Sequence, residues 1–350
     1  MSSTAPGSHP ALPPLALDAR GAVRAGADAE DADGSPPGPL PPEDVAALRE
    51  ALRGGGALER LLGAGGMGSV WLGRDAALDR PVAIKVIAPE LTASAVLRAR
   101  FLQEARTVAR LRHPHVVQVY AAGEAGPLLW FAMEFVAGGS LRDRIERDGP
   151  MRPAEAAGVL RDLADALAEA HRNGVVHRDL KPENVLVEEG TGRVRLTDFG
   201  VARAFQAEPG ADGDARLTRT GMIVGSPRYM SPEQAAGDRA LDGRSDLYAL
   251  GLLGYELLAG VPAFGGGTPA TLLVRQLTQP PPPLAPLAPA APEALVRVIG
   301  RALEKDPEAR WPDAAAMRDA LDAVLAGPGL ANPASGEPAR AAAPGARHVG

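Results

Sequence analysis

The sequence predicts an α+β protein with two lobes, in which a small β-rich lobe precedes a larger, mainly helical lobe. Short apolar runs that are broken by glycine occur between residues 58 and 87 and again between residues 116 and 136, a pattern typical of antiparallel strands. After the glycine pair at 138–139, apolar residues recur at helical spacing over long segments. A chain of 350 residues is long enough to divide into two such units.

The small lobe is predicted to combine one sheet with one helix. Three strand-like runs, LERLLG, SVWLGRD and PVAIKVI, lie between residues 58 and 87, and two more, VVQVYAAG and LLWFAMEFV, lie between residues 116 and 136. Between these groups, residues 94–111 follow a helical period. The large lobe is predicted to contain helices at Pro153–Arg172, Ser245–Ala259 and Glu293–Leu303, and the proline-rich run at 280–292 predicts an extended loop.

The ends of the chain have a composition that does not favour a packed core. Both are rich in Ala, Gly and Pro, so we expect disorder over residues 1–42 and again over residues 327–350. Residues 43–56 predict a short helix and a linker, because apolar residues recur at helical spacing before three glycines. The folded domain is expected over 57–326, with a small lobe at 57–135, a hinge at 134–139 and a large lobe at 140–326.

Composition excludes several classes of function. The absence of cysteine excludes disulfides, thiolate metal sites and cysteine nucleophiles. A formal charge of −6 gives no basic footprint for a nucleic acid. The longest apolar stretch, residues 247–260, has 14 residues and contains Glu256, which is too short to span a bilayer, and the N-terminus has no signal-peptide pattern. We therefore expect a cytoplasmic protein with no nucleic-acid or membrane partner.

Lysine is scarce in this sequence. Of 37 Lys and Arg residues only three are lysine, namely Lys85, Lys181 and Lys305, and asparagine is equally rare at three positions. A compact ammonium and a planar guanidinium are not interchangeable. A lysine that persists in an arginine-rich chain therefore marks a position where the ammonium itself is useful.

A glycine-rich segment, GAGGMGSV at 63–70, follows the first strand-like run. Glycines let backbone N–H groups approach phosphates closely, although a glycine-rich turn between strands also occurs for structural reasons alone. The residues after it predict a strand, whereas a dinucleotide-binding fingerprint needs a helix there, and the Gly-Lys-Ser/Thr ending of a P-loop is absent. The pattern favours a hairpin lying over a nucleotide.

Lys85 lies in the apolar strand-like run VAIK. Such a lysine either extends along its stem to water or meets an anion. The scarcity of lysine favours the anion, because arginine could have served at the surface. Glu104, on the helix predicted over 94–111, can place a carboxylate beside Lys85; a solvent-exposed glutamate is the alternative.

The most specific motif is HRDLKPEN at 177–184, which is followed by TDFG at 197–200. With these motifs in this order over roughly residues 57–326, the sequence resembles the bacterial, Hanks-type serine/threonine protein kinases. The resemblance implies a bilobal protein-kinase-like fold, ATP and Mg²⁺ as cofactors, and transfer of the γ-phosphate of ATP to Ser or Thr hydroxyls of proteins.

By this resemblance, the catalytic residues divide the work of phosphoryl transfer. Lys85 would hold the α- and β-phosphates and pair with Glu104, while Asp179 would orient the substrate hydroxyl and accept its proton. Lys181 would steady the γ-phosphate, and a lysine at this position is typical of Ser/Thr rather than tyrosine kinases. The metal ligands by the same resemblance are Asn184 and Asp198, hard oxygen donors that suit Mg²⁺.

The resemblance also implies a nucleotide site between the two lobes. Adenine would contact the backbone after Met133, and apolar side chains would enclose the ring. The residues expected to bind the nucleotide are Leu62, Gly63, Ala64, Gly65, Gly66, Met67, Gly68, Ser69, Val70, Ala83, Lys85, Glu134 and Val136.

Between Asp198 and Glu233 lies the segment that corresponds to the activation loop of these kinases. We expect autophosphorylation at Thr218 or Thr220, with Arg178 as the partner of the phosphate. Autophosphorylation between two copies would involve a transient homodimer.

Further positions match structural residues of the family. By the resemblance, Glu233 and Arg310 form a buried ion pair, and Asp246 braces the catalytic loop. Ser226 stands where the family usually has Thr, and Ser231 where it usually has Ala. Because Ser226 keeps a hydroxyl that can bond Asp179, the expectation of Ser/Thr specificity is retained.

Two alternatives of other classes remain open. A pseudokinase or scaffold would usually have lost Lys85, Asp179 or Asp198, and all three are present. A kinase for small molecules is disfavoured by the peptide-positioning segment at 225–233. The expected partners are protein substrates and ATP. Sensor domains and a membrane anchor, common in such kinases, are not found in this sequence, so we expect input from a partner or from the flanking segments.

Overall fold

A computed structural model of the chain describes residues 40–52, 56–65, 68–88, 92, 94–199, 226–238, 240–327 and 330. The expected disordered ends, apart from residues 40–42 and 327 and 330, lie outside the described residues. Within the described part, the prediction of a small β-rich lobe followed by a larger helical lobe is confirmed.

The small lobe is built on one five-stranded antiparallel sheet. Its strands in chain order are β1 (Gly56–Gly65), β2 (Gly68–Asp75), β3 (Arg80–Ile87), β4 (Val119–Ala125) and β5 (Leu128–Glu134). The strand order across the sheet is β1-β2-β3-β5-β4, so β3 lies at the centre. The five strand-like runs of the sequence therefore form a single sheet.

Strand β3 divides its side chains between the two faces of the sheet, as the two-residue period of a strand requires. Val82, Ile84 and Val86 face the first helix, α1 (Pro42–Leu52), whose Leu48 is fully buried in the same cluster. The next residues in alternation, Ala83 and Ile87, pack with Phe101 of α2 (Ala95–Val108) on the opposite face. Lys85 belongs to this second face, the side on which the large lobe lies.

The large lobe contains seven helices and a small antiparallel sheet among its described residues. The helices are α3 (Leu141–Asp148), α4 (Pro153–Arg172), α5 (Pro232–Ala236), α6 (Gly243–Ala259), α7 (Pro269–Thr278), α8 (Glu293–Ala302) and α9 (Ala314–Ala326). The strands are β6 (Gly138–Ser140), β7 (Val185–Glu188) and β8 (Val194–Leu196). The polypeptide crosses from the small to the large lobe between the end of β5 and β6.

Helix α6 is the most buried element of the large lobe. All residues from Ser245 to Leu258 are buried, which is expected of a helix that is apolar on every side. The longest apolar stretch of the sequence is therefore the central helix of a packed core. No helix in the described ranges is both long and apolar enough to cross a membrane.

Candidate active site

The segment HRD, at 177–179, is held by one buried carboxylate. Asp246, in the first turn of α6, accepts hydrogen bonds from the backbone N–H groups of His177 and Arg178, both at 2.8 Å. It also accepts one from His171 Nε2 at 2.7 Å. A side chain at Gly243 would collide with the His171 ring, so the glycine that begins α6 permits this approach.

The ionised form of Asp246 is the one that this environment favours. Burial alone would raise the pKa of its carboxyl group, but the hydrogen bond from His171, the nearby His177 and the backbone N–H of Arg178 hold the pKa below its ordinary value. Asp246 thus offers a permanent acceptor to the loop that carries the catalytic residues.

His177 connects this loop to the segment that follows β8. Its Nε2 donates to the carbonyl oxygen of Thr197 at 2.8 Å, and its Nδ1 accepts from the backbone N–H of Asp179 at 3.3 Å. Its ring contacts Phe199 edge to face, with 4.7 Å between centroids. The two motifs, at 177–184 and at 197–199, are therefore one packed unit.

Two residues of this unit have left-handed backbone conformations without being glycine. The φ angles are +68° at Arg178 and +65° at Asp198. Such conformations cost roughly 1 to 3 kcal/mol each and persist where the surroundings determine them. Arg178 directly precedes Asp179, the residue predicted to take the proton, and Asp198 is itself a predicted metal ligand. The two conformations therefore fit a preorganised site.

The side chain of Asp179 lies between two donors. Lys181 Nζ is 3.2 Å from Asp179 Oδ2, and Asn184 Nδ2 donates to the same oxygen at 3.2 Å and to the Asp179 carbonyl at 2.7 Å. The three residues that the sequence predicts for proton transfer, phosphate contact and metal binding are thus within hydrogen-bonding distance.

The charges of Asp179 and Lys181 stabilise each other. Burial would raise the pKa of Asp179, yet Lys181, His177 and Asn184 lower it below its ordinary value. Burial would lower the pKa of Lys181, yet Asp179 and Glu183 raise it. Asp179 is therefore an ionised acceptor at neutral pH.

Lys85 makes its ion pair with Asp198, with Nζ 2.7 Å from Oδ2. The resemblance pairs Lys85 with Glu104, and in this structure Asp198 takes that place. Glu104 lines a cavity that Asp198 and Phe199 also line.

Asn184 and Asp198 have the chemistry that a magnesium ion needs. Asp198 Oδ1 is buried and has no hydrogen-bond partner within the described part of the chain. The Asn184 amide nitrogen is bound to Asp179, and its carbonyl oxygen is a hard ligand of the kind that Mg²⁺ prefers. No group of three or more His, Asp or Glu residues that could hold a metal is found among the described residues.

The glycine-rich segment forms the β1–β2 hairpin. Gly68 has φ +127°, and a side chain there would meet the Val86 carbonyl oxygen at 1.9 Å, so packing alone requires this glycine. At Gly63 and Gly65 a side chain would meet nothing within 4 Å. Packing among the described residues therefore does not explain these two glycines.

Several residues predicted to enclose adenine lie on one side of the sheet. Ala83 is opposite Met133 in the β3–β5 register, and both are buried beside Val136 in the cluster that Val70 contacts. Leu62 is half-buried on the neighbouring β1. The half-buried Glu134 ends β5, where its carboxylate pairs with Arg195 at 3.0 Å.

The segment after residue 225 is fixed by a buried ion pair. Arg310, which is 1% exposed, donates from both terminal nitrogens to the two oxygens of Glu233 at 2.8 Å. Ser245 donates to the same carboxylate at 2.6 Å. Burial would raise the pKa of Glu233, but Arg310 and Ser245 lower it. Ser231 begins α5 with a capping box that it forms with Gln234.

Ser226 is buried close to this segment, and its carbonyl oxygen accepts from the Tyr229 N–H at 3.0 Å. Its hydroxyl is not among the hydrogen-bond partners of Asp179 or Lys181 described above. The contact expected from the resemblance is therefore not made in this structure.

One polar network near the site was not anticipated. Arg142 of α3 donates to Glu183 at 2.8 Å, to Glu256 at 2.7 Å and to the Tyr229 hydroxyl at 2.7 Å. Tyr229 in turn donates to Glu256. The buried Glu256 in an otherwise apolar segment was the available sequence signal, because a buried charge needs a partner.

Some predicted site residues lie outside the described residues. These are Gly66, Met67, Thr218 and Thr220, together with Gly200 of the second motif.

Comparison with known proteins gives one consistent family. A family model described as protein kinase domain matches residues 57–321. The serine/threonine-protein kinase PknB of Mycobacterium tuberculosis is 41% identical over 265 residues, which cover 75% of this chain and 41% of PknB. PknJ of the same organism is 42% identical over 275 residues, which cover 77% of this chain and 45% of PknJ.

A solved structure agrees with these relatives. The crystal structure of the PknI kinase domain of Mycobacterium tuberculosis matches with a TM-score of 0.61 at 30% identity, and the match covers 77% of this chain and 96% of that one. The chain spans less than half the length of the curated relatives PknB and PknJ.

Replacing Arg310 tests the buried ion pair. Because Arg310→Leu leaves the buried Glu233 carboxylate without its main partner, we expect the free energy of unfolding to fall by about 3 to 5 kcal/mol at pH 7. Arg244→Leu is the control, since Arg244 forms exposed pairs with Asp242 and Glu308, and we expect about 0 to 1 kcal/mol. Urea denaturation measures both.

The pH dependence of stability in wild type and in Arg310→Leu gives a second test. The pKa of Glu233 is lowered in the folded wild type, so its stabilising effect is present above the pKa of the unfolded state, about 4.3, and is lost as the pH falls below it. Arg310→Leu should lose less stability on acidification than wild type. An equal loss in both would contradict the assignment.

Proposed function

The chain belongs to the protein kinase family, and from this premise we propose that it is an active serine/threonine protein kinase, which transfers the γ-phosphate of ATP to Ser and Thr hydroxyls of proteins. The observation that carries the proposal is the position of the Asp179 carboxylate, held in its ionised form between Lys181 Nζ and Asn184 Nδ2. The full bilobal fold around it agrees with the fold expected from the resemblance.

Phosphoryl transfer asks a protein mainly for positioning and for neutralisation of charge. In the proposed reaction the oxygen of a substrate hydroxyl bonds to the γ-phosphorus while the bond to the β,γ-bridging oxygen breaks, and that electron pair leaves with ADP. Asp179 orients the hydroxyl and takes its proton. Lys181, already beside Asp179, neutralises charge on the group in transfer.

The proposed roles of the remaining polar residues follow from their positions. Lys85, on the face of β3 that points to the large lobe, would contact the α- and β-phosphates. Asn184 and Asp198 would hold Mg²⁺, which when bound supplies positive charge to the phosphate oxygens. The Lys85–Glu104 pair expected from the resemblance is proposed for the nucleotide-bound form, in which Asp198 serves the metal.

The composition of the sequence supports these roles. Two of its three lysines, Lys85 and Lys181, occur at proposed phosphate contacts. The Ser/Thr preference rests on Lys181 and on the names of the relatives, which are serine/threonine-protein kinases. Because ATP is the phosphate donor, the cytoplasmic location expected from the sequence stays part of the proposal.

A transfer assay with three variants tests the proposed activity. Using [γ-³²P]ATP, Mg²⁺ and myelin basic protein, we expect Asp179→Asn to lose about 10²- to 10⁴-fold in kcat, because the amide cannot accept the proton. Lys85→Met should lose about 10²- to 10³-fold. Lys85→Arg should also be impaired, because the guanidinium does not replace the compact ammonium.

The outcome separates the alternatives. Transfer to Ser and Thr by wild type alone supports the proposal, and phosphotyrosine as the main product would contradict the specificity. If the protein binds ATP but neither wild type nor any variant transfers phosphate, the protein is a scaffold.

Autophosphorylation is the second part of the proposal. We expect Thr218 or Thr220 to be modified by active wild type and unmodified in Asp179→Asn, because a phosphate there can pair with Arg178. Phosphopeptide mapping measures this. Mixing wild type with Asp179→Asn distinguishes transfer between copies, through a transient homodimer, from transfer within one chain. Active protein with neither threonine modified would contradict this part.

A further inference from the structure

The third lysine of the chain, Lys305, lies far along the sequence from the proposed catalytic residues but ends in a buried polar cluster. Its Nζ donates to the Tyr248 hydroxyl and to the Gln276 carbonyl oxygen, both at 2.7 Å. Its ammonium also lies 4.8 Å from the centre of the Phe264 ring. Tyr248 and Gln276 are both 0% exposed, so these acceptors have no alternative partner in water.

The ammonium determines the direction of the hydrogen bonds that follow. An ammonium has donors only, so the Tyr248 oxygen must accept from Lys305. The Tyr248 hydroxyl proton is then free to donate to Gln276 Oε1, which lies 2.8 Å away. Since the amide oxygen of Gln276 is engaged there, its Nε2 must point to the opposite side.

On that side lies the segment that precedes α5. Gln276 Nε2 donates to the carbonyl oxygen of Arg228 at 2.7 Å and approaches that of Pro227 at 3.4 Å. These carbonyls belong to residues 226–230, which precede α5 within the peptide-positioning segment at 225–233. The directed chain therefore runs from Lys305 through Tyr248 and Gln276 to the backbone of this segment.

The cluster is joined to the anchor of the same segment. The carbonyl oxygen of Lys305 accepts from Arg310 at 3.0 Å, and the Arg310 guanidinium lies 4.9 Å from the centre of the Tyr248 ring. Arg310 in turn holds Glu233, the last residue of the peptide-positioning segment. The hydrogen-bond chain to residues 226–230 and the arginine that holds Glu233 thus meet at Tyr248.

An ammonium at this position is costly. Lys305 forms no ion pair with a carboxylate within the described ranges. Burial, together with the nearby Arg310, lowers the pKa of Lys305 to about 8. A purely structural role would be met by an apolar side chain against Phe264 and Tyr248, whereas the chain keeps one of its three lysines here.

We propose that Lys305, Tyr248 and Gln276 form a hydrogen-bond relay that fixes the backbone of residues 226–230 for binding a protein substrate. The three are positioning residues. They hold the carbonyls of Pro227 and Arg228, and thereby fix the backbone that would contact the substrate. The inference rests on the proposed kinase function and deepens it, because it separates binding of the protein acceptor from binding of ATP.

Steady-state kinetics of Tyr248→Phe test the relay. The substitution keeps the ring and removes the hydroxyl, which breaks the chain between Lys305 and Gln276. With myelin basic protein as acceptor, we expect the acceptor KM to rise about three- to tenfold, as for loss of one buried hydrogen bond. The KM for ATP, and the rate of ATP hydrolysis without acceptor, should stay within about twofold of wild type, because Asp179 and Lys85 are not touched.

Tyr255→Phe is the matched control. Tyr255 lies two turns further along the same face of α6 and contributes no hydroxyl contact to the relay, so its acceptor KM should equal that of wild type. Lys305→Met is the second variant. It removes the donor at a half-exposed position. If thermal unfolding shows that Tyr248→Phe is not folded, the acceptor KM of Lys305→Met tests the relay instead.

The results discriminate between the possibilities. A rise in acceptor KM in Tyr248→Phe and Lys305→Met, with unchanged ATP kinetics, supports the relay. Unchanged acceptor KM in both, or an equal loss of acceptor phosphorylation and acceptor-independent ATP hydrolysis, overturns it and leaves the kinase proposal intact. Absence of transfer by wild type would instead overturn the kinase proposal itself, and with it this inference.

Discussion

The geometry of the candidate site depends on one buried carboxylate, that of Asp246. It accepts the backbone N–H groups of His177 and Arg178 and the side chain of His171, and in doing so holds Arg178 in a left-handed conformation. The next residue is Asp179, whose direction follows from that backbone. Three donors to a desolvated anion are individually strong, and the low local dielectric strengthens them further. The strain at Arg178 is therefore balanced from α6.

Helix α6 also supports the segment that is proposed to bind the protein substrate. Most of its residues are apolar, yet three of its buried polar side chains connect it to other segments at separate levels. Asp246 supports the catalytic loop, Tyr248 belongs to the relay that reaches residues 226–230, and Glu256 is bound by Arg142 and Tyr229. Because each is buried and partnered, a shift of α6 would disturb all three connections together. One rigid helix thereby keeps the catalytic and the peptide-positioning segments in register.

Most of what could be predicted from the sequence came from local motifs. The strand-like run VAIK placed Lys85 in a strand, and the contiguous HRDLKPEN motif placed Asp179, Lys181 and Asn184 in one segment. What the sequence did not reveal depends on elements far apart in the chain. The Lys85–Asp198 pair joins β3 to the segment that follows β8, and the contacts of Lys305 join residues 29 and 57 positions apart. Neither periodicity nor spacing reports such distances. The scarcity of lysine favoured an anion contact for Lys85, but the sequence predicted no chemistry for Lys305.

Hydrogen exchange at the amides of His177 and Arg178 tests the central claim most directly. Asp246→Asn replaces one acceptor oxygen by an NH₂ group, so at least one of these amides should exchange about tenfold faster or more, as expected for loss of a charge-assisted hydrogen bond. Asp242→Asn is the control, because Asp242 caps the same helix from an exposed position and asparagine caps equally well. Its exchange at both amides should equal that of wild type. Wild-type protection of both amides in folded Asp246→Asn would show that the catalytic loop is held by something else.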